Sequence, residues 1–396
     1  MGARRIPAAQ AAVEILRDEG VDTVFGCPGA ALLPLYAAME RTGGIAHLSA
    51  GHAEGAAHMA DGWARTTGRP GVAAVAAGPG AVRVLSGLYA AQQDAVPLVC
   101  VTGRAAPPAT APALPLRHAG YRPTDLVRLA GAVTKRAERI EDPARIPGAF
   151  REAFRIAREG RPGPVLVDVP AELAAEEIVC GPAPADSSAP GAGPALVDGD
   201  RSPAPGAVLP LTVPPDPAGA AAHWALTELA EVYGARSPVD AYVVSGLPVP
   251  CTAPRHHRVA RRSGPPGWEV PTAIGVRTAL DSPSERAAEV VVVVDGRDFP
   301  LTAGELATAA QYDVPFVVVL LGEPEDADPL TDPVKLAGAH GCAGRDVRDP
   351  AQLRSAMEWA RKEAVSTRRP VLVEVRSARL AKARGGPPVD AVAYGT

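Results

Sequence analysis

Two doubly wound α/β domains, each built on a parallel sheet and joined by a linker, are the fold this sequence predicts, on three observations. Short apolar strands alternate with amphipathic helices through both halves, the pattern of parallel strands with crossover helices. Between the halves, Gly181–Ala221 reads GPAPADSSAPGAGPALVDGDRSPAPGAVLPLTVPPDPAGAA, too dense in proline and glycine for a packed element. The chain's 396 residues suffice for two domains at the usual ~150 residues each. The expected organisation is a domain over 1–180, a disordered or extended linker over 181–221, a second domain over 222–380 and a tail over 381–396.

In the first half, Ala9, Ala12, Val13 and Leu16 recur at helical spacing and stop near Gly20, an opening helix. Val21–Phe25 reads as a buried strand, Ala30–Glu40 as a helix and Ile45–Ser49 as a strand. His52–Thr66 is helical, with a close-packing face of Ala53, Ala56, Ala57, Ala60, Trp63 and Ala64. Strands Val72–Val75, Leu98–Thr102 and Val165–Val169 follow, with helices Ala81–Gln93 and Ile146–Arg158 between them. The second half resumes with helix Trp224–Tyr233 and strand Ala241–Ser245. Strands Val290–Val294, Pro315–Leu321 and Val371–Val375 then alternate with helices Ala303–Gln311 and Ala351–Ala364.

Composition narrows the function classes. A hydrophobic share of 47% against 21% charged is that of a soluble globular protein. A net charge of −4 argues against a nucleic-acid partner or an anionic membrane. Glu14 interrupts the apolar run of the N-terminus before signal-peptide length, and no stretch reaches the ~18 apolar residues of a membrane span. Cys27, Cys100, Cys180, Cys251 and Cys342 lack CxxC spacing and read as free buried thiols of a reducing, cytoplasmic compartment.

The motifs carry a resemblance. Residues 45–103, IAHLSAGHAEGAAHMADGWARTTGRPGVAAVAAGPGAVRVLSGLYAAQQDAVPLVCVTG, resemble the pyrimidine-binding domain of thiamine-diphosphate (ThDP) enzymes, in the glyoxylate carboligase and acetolactate synthase branch. The likeness extends upstream through VFGCPGAALLPLY (Val24–Tyr36) and downstream through GRPGPVLVDVPAEL (Gly160–Leu173). GPPGWEVPTAIG (Gly264–Gly275), a strand ending in Asp-Gly and then DVPFVVVLL resemble the diphosphate-binding domain of the same family. The two domains are thus expected to be pyrimidine-type and diphosphate-type. The linker stands where relatives have a middle domain that carries FAD in some of them, which leaves no room for FAD.

The resemblance also implies site residues. The acid that meets the pyrimidine N1' normally follows a histidine; here His52 is followed by Ala53, a departure shared with glyoxylate carboligase. Glu54 competes for that role but lies ~100° around the helix, and reads as a capping or pairing residue. Pro28-Gly29 and Gly78-Pro79-Gly80 are turns that bring backbone close to the cofactor, ordinary turn geometry being the alternative. Tyr121-Arg122 falls where carboligases have an active-site Phe-Gln pair. Arg122 either holds a 2-oxoacid carboxylate or lies in solvent. Gly246-Leu247 begins a strand-to-helix turn; the prolines of PVPCTAPRHHRVARR then break the expected helix, and Arg255, Arg258, Arg261 and Arg262 either meet a diphosphate or form a solvated loop. Gly264, Pro266, Gly267 and Trp268 form the loop under the thiazolium, with Pro266 in place of a bulkier aliphatic prop.

For Mg²⁺, one alignment offers the carboxylates of Asp295 and Glu323; an ungapped alignment puts Gly296 at the ligand position and loses the ligand. The implied function is a divergent ThDP-dependent carboligase or 2-oxoacid decarboxylase, working as a homodimer or higher oligomer on a small 2-oxoacid. In that chemistry CO₂ leaves the 2-oxoacid and the remaining fragment is protonated or captured by a second carbonyl compound. Two rivals stand beside it. One is a catalytically inactive regulatory or structural subunit of the same fold. The other is a shortened decarboxylase of phosphono- or sulfo-pyruvates, against which Ala53 argues.

Overall fold

The computed structural model describes residues 4–104, 125–180, 232, 240–246, 256–259, 264–281, 287–322 and 332–376. They form two compact units, one holding the strands up to residue 180 and the other those from residue 241.

The first unit runs β1 (Arg4–Pro7), α1 (Ala8–Asp18), β2 (Thr23–Cys27), α2 (Leu33–Thr42), β3 (Ala46–Ser49), α3 (Ala53–Thr67), β4 (Gly71–Ala76), α4 (Val84–Asp94) and β5 (Leu98–Arg104). It continues with α5 (Leu126–Ala130), β6 (Arg136–Arg139), α6 (Ile146–Arg158), β7 (Pro164–Pro170), α7 (Ala171–Ala175) and β8 (Glu177–Cys180). Six strands form one parallel sheet in the order β3-β2-β4-β5-β7-β6. Successive strand residues face opposite sides of the sheet. Val24, Val72, Val99 and Val165 accordingly join a core with α1, α2 and α6. On α3 the predicted small face is buried throughout, from Ala53 to Ala64. The strongly amphipathic pattern of α6 explains why Phe150 and Phe154 are fully covered while its arginines point outward. β1 and β8 pair antiparallel in a separate ribbon that the sequence reading did not include.

The second unit holds β9 (Ala241–Ser245), β10 (His256–Val259), α8 (Glu269–Ala279), β11 (Glu289–Asp295), α9 (Phe299–Thr302), α10 (Glu305–Gln311), β12 (Val317–Gly322), α11 (Pro333–Ala339), β13 (Ala343–Val347), α12 (Pro350–Thr367) and β14 (Val371–Arg376). Its sheet is also parallel, in the order β10-β9-β11-β12-β14-β13. β11 is an unbroken valine run because both of its faces are covered. Val291, Val293, Val317 and Val319 pack under Leu353, Met357 and Ala360 of α12.

Three sequence expectations are corrected. Part of the arginine-rich segment read as a diphosphate contact or solvated loop is strand β10, paired with β9. The helix expected over Ala81–Gln93 opens two residues earlier, as a 3-10 turn at Pro79–Arg83 with Pro79 at its first position, and becomes α-helical at Val84. Of the described cysteines, none of them in a disulfide, Cys100 and Cys342 are buried but Cys27 and Cys180 only half so. Leu247, Tyr121, Arg122, Glu323, Cys251, Arg255, Arg261, Arg262, the 181–221 segment, most of Trp224–Tyr233 and the 381–396 tail lie outside the described residues. Among the described residues no helix is long and apolar enough to cross a membrane.

Candidate functional site

In an open parallel sheet, ligands bind outside the carboxyl ends of the strands where the strand order reverses. In the first unit that point lies between β2 and β4, since the chain moves from β2 outward to β3 and then back to β4. The turns after these strands hold Pro28-Gly29, His52-Ala53 and Gly78-Pro79-Gly80. The topology therefore brings these predicted residues to one end of one sheet.

Their roles differ. A Cβ on Gly29 would lie 2.4 Å from the Cβ of Ala76, so glycine lets the turns after β2 and β4 touch. Cβ atoms on Gly78 and Gly80 would meet nothing within 4 Å, so chain packing does not require glycine there. His52 caps α3: its backbone is extended and its Nδ1 accepts the Gly55 N–H at 2.9 Å. Ala53 is buried directly after it and presents only a methyl group. Glu54 turns to His58, at 3.9 Å, and to Arg83, at 3.6 Å. The bond with His58 leads in lowering its carboxyl pKa to about 2.

Sequence reasoning missed a polar cluster beneath this end. Tyr36 of α2 and His47 of β3 stack with ring centroids 4.4 Å apart. A Cβ on Gly26 would meet His47 Nε2 at 2.9 Å and Tyr36 Oη at 3.0 Å, and neither atom has a hydrogen-bond partner. Burial, helped by neighbouring Cys27, pushes the Tyr36 phenol up, while burial holds the His47 ring below the usual range. A histidine between Ala46 and Leu48 of a strand was the available signal.

In the second unit the order reverses between β9 and β11. β9 ends at Ser245 before Gly246, and β11 ends at Asp295. The turn before α8 carries Pro266-Gly267-Trp268, preceded in the chain by Gly264. Gly267 has φ +82°, a left-handed conformation suited to glycine, and its carbonyl accepts from Thr302 Oγ1 at 2.6 Å. Trp268 is buried. Its neighbour Glu269, also unforeseen, opens α8 and is only 5% exposed. A Cβ on Gly246 would lie 3.1 Å from Glu269 Oε1 and 3.6 Å from Trp268 Nε1, so these side chains stand over the end of β9. An acid at the first helical position complements the positive end of the helix dipole.

The metal pair is described only in part. Asp295 stands at the end of β11, where its Oδ1 accepts the Arg297 backbone N–H at 2.9 Å and meets Arg297 Nε at 3.3 Å. Arg297 is 73% exposed, and a pair in that setting is worth about 0–1 kcal/mol. Among the described residues no three His, Cys, Asp or Glu side chains are grouped to hold a cation.

Residues 6–120 match the family "Thiamine pyrophosphate enzyme, N-terminal TPP binding domain", and residues 243–323 match its C-terminal TPP binding domain. No middle-domain match lies between them. The chain is 40% identical over 175 residues to glyoxylate carboligase of Escherichia coli O157:H7, covering 44% of this chain and 28% of that protein. It is 37% identical over 189 residues to the acetolactate synthase large subunit of Parasynechococcus marenigrum WH8102, covering 47% and 30% respectively. It is 40% identical over 165 residues to the acetolactate synthase isozyme 2 large subunit of Escherichia coli K12, covering 42% and 29%. The aligned part thus spans less than a third of each relative.

Proposed function

We propose that this chain, which belongs to the thiamine pyrophosphate enzyme family, is a ThDP-dependent carboligase or 2-oxoacid decarboxylase related to glyoxylate carboligase and acetolactate synthase. The observation that supports it best is that the strand order of each sheet reverses once, the place where open parallel sheets bind ligands, and the family-like turns follow the strands at both reversals. The open backbone at Gly78 and Gly80 fits a flat heterocycle approaching the first crevice. Trp268, Gly267 and Gly246 would line the thiazolium side of the second. When bound, ThDP supplies a nucleophilic carbon and an electron sink for loss of CO₂ from a 2-oxoacid.

The residues themselves orient and exclude water. Ala53 cannot exchange a proton with a pyrimidine nitrogen, so it shapes the first crevice and carries no proton. His52 holds the start of α3, and Glu54 is taken up by His58 and Arg83. Tyr121 and Arg122 are proposed to face the 2-oxoacid, and Asp295 with Glu323 to reach Mg²⁺; no step here depends on the metal. The reading includes a homodimer or higher oligomer in the cytoplasm.

Titration of purified protein with ThDP, with and without Mg²⁺, tests the reading, followed by CO₂ release from pyruvate and glyoxylate. Saturable binding with CO₂ release is expected; no binding at millimolar ThDP sinks it. Ala53→Glu should strengthen the imino-tautomer circular dichroism signal of bound ThDP. An unchanged signal at full occupancy would move Ala53 away from the pyrimidine.

A second reading, a catalytically inactive subunit of the same fold, is favoured by Glu269. A buried acid over the end of β9 opposes a diphosphate placed there. ThDP binding without CO₂ release from any 2-oxoacid would support that reading.

A further inference from the structure

Tyr36 and His47 form a half-buried titratable pair that the proposed chemistry does not use. His47 stands in β3, level with Val24 of β2, on the sheet face whose core includes α1, α2 and α6. From α2, Tyr36 packs against the same core, and the two rings meet with centroids 4.4 Å apart. Gly26, two residues beyond Val24, is the floor of this contact. A Cβ there would lie 2.9 Å from His47 Nε2, 3.0 Å from Tyr36 Oη and 2.5 Å from the Ala74 carbonyl oxygen. Three polar atoms therefore converge where a side chain would begin.

The pair is complementary in one protonation state. A phenol donates, and the bare nitrogen of a neutral imidazole accepts. Both Tyr36 Oη and His47 Nε2 are enclosed, and among the described residues neither has a hydrogen-bond partner. Protonation of His47 would turn an acceptor nitrogen into a donor and add a charge in a poorly solvated place.

The groups around the ring do not offset that charge. The phenol of Tyr36 in α2 and the thiol of Cys27 at the end of β2 are the titratable groups beside it. Asp22, before β2, is largely exposed and turns to Arg69 at 3.3 Å. Glu40 and Arg41 of α2 are exposed. At the head of α3, Glu54 is held by His58 and Arg83, and His52 caps the helix. From β4 the facing residue is Ala74. Burial accounts for the lowered pKa of His47, and no neighbouring charge adds to it.

β3 is a four-residue edge strand with β2 as its one neighbour, so it can part from the sheet by losing a single ladder. The turns after β2 and β3 are tied to each other at the same place. The Ala50 N–H donates to the Gly26 carbonyl at 2.8 Å, and the Cys27 thiol donates to the Ala50 carbonyl at 3.6 Å.

We propose that Tyr36 and His47 form an acid-sensitive latch: the neutral pair holds β3 and the turns after β2 and β3 closed, and protonation of His47 releases them. Those turns carry Pro28-Gly29 and His52-Ala53, so acid loosens the first candidate site. The latch needs no ligand and stands whether or not ThDP binds. Its sign follows from linkage. Below the ordinary 6.5 the unfolded chain binds the proton more readily than the folded one, so the latch is intact above that pH and weakens as pH falls.

Hydrogen exchange of the full chain without ligand, read by mass spectrometry and corrected for intrinsic rates, tests this between about pH 7.5 and about pH 5.5, with His47→Gln beside it. Opening of residues 23–29 and 46–52 should rise in the wild type relative to His47→Gln, by at most about tenfold per pH unit below 6.5, the ceiling for one proton. β5 and β7 should respond alike in both proteins. Tyr36→Phe removes the donor that favours the neutral ring and should move the response to higher pH. Histidine-ring NMR of the wild type gives a reading that does not need His47→Gln to fold: the ring whose signal shifts in Tyr36→Phe should titrate below 6.5. An equal acid response in wild type and His47→Gln, or a His47 ring that titrates at or above 6.5, overturns the proposal.

Discussion

The two sheets of this protein share a strand order and differ at their carboxyl ends. Counted in chain order within each sheet, both run 2-1-3-4-6-5. In the first, the end at the reversal is shaped by small residues: Gly26 and Gly29 admit close neighbours, Gly78 and Gly80 face open space, and Ala53 offers a methyl group. In the second, the same place holds acids, buried Glu269 over Gly246 and Asp295 at the end of β11. The same strand order thus carries two chemically different ends, one lined by small residues and one by acids.

The charges that hold each unit together differ as well, and that difference gives the largest expected effect. In the first unit Arg65, 4% exposed, bridges Asp61 and Asp94 at 2.6 Å each, joining α3 to α4. Removing it takes the shared cation from two buried carboxylates, so Arg65→Ala should cost about 3–5 kcal/mol. The second unit's Arg361–Glu289 pair is partly solvated, and Arg361→Ala should cost only about 1 kcal/mol. Urea denaturation measures both. Equal losses would break the contrast.

Next come the glycines of the first crevice. Gly29→Val forces the turns after β2 and β4 apart and should cost about 1–3 kcal/mol, as overpacking does. Gly80→Ala meets nothing and should change stability by less than about 0.5 kcal/mol. If ThDP binds there, Gly80→Ala should still weaken it. A Gly29→Val protein as stable as wild type would show that the turns can separate freely.

The acid of the second crevice supplies a smaller effect of opposite sign. Glu269→Gln keeps the shape and removes the charge. If Glu269 opposes a diphosphate, ThDP should bind about tenfold tighter, a change of ~1.4 kcal/mol. Weaker binding in this variant would mean that the carboxylate helps to hold the cofactor.

The smallest effect concerns Glu54. Its folded pKa lies below the ordinary 4.5, at about 2. A depressed carboxyl pKa contributes stability that is fully present above the unfolded value and is lost as pH falls through the folded one. Glu54→Gln should therefore lower stability above about pH 4.5, and the deficit should vanish toward pH 2. Solvent screening limits the size to about 1 kcal/mol. A deficit that persists at pH 2 would point to lost packing as its cause.

Much of the fold was legible because valine runs and alanine-rich helical faces are local patterns that burial demands. The helix His52–Thr66 was readable from Ala53, Ala56, Ala57, Ala60, Trp63 and Ala64 alone, and all are buried. Strands β6, β10 and β13 escaped notice because their sequences, RAER, HHRV and AGRDV, carry charged or polar residues instead of an apolar run. The turns at the candidate site were legible wherever a motif carries its own turn chemistry, as at Gly78-Pro79-Gly80 and Gly264–Trp268.

By itself the sequence determined the alternation of strands and helices and the turns placed after them, because each depends on neighbours in the chain. Only the tertiary structure could bring Tyr36 and His47 together over Gly26, or set Glu269 above Gly246. Those residues come from separate elements, and their meeting depends on strand order and helix packing, which local pattern does not encode.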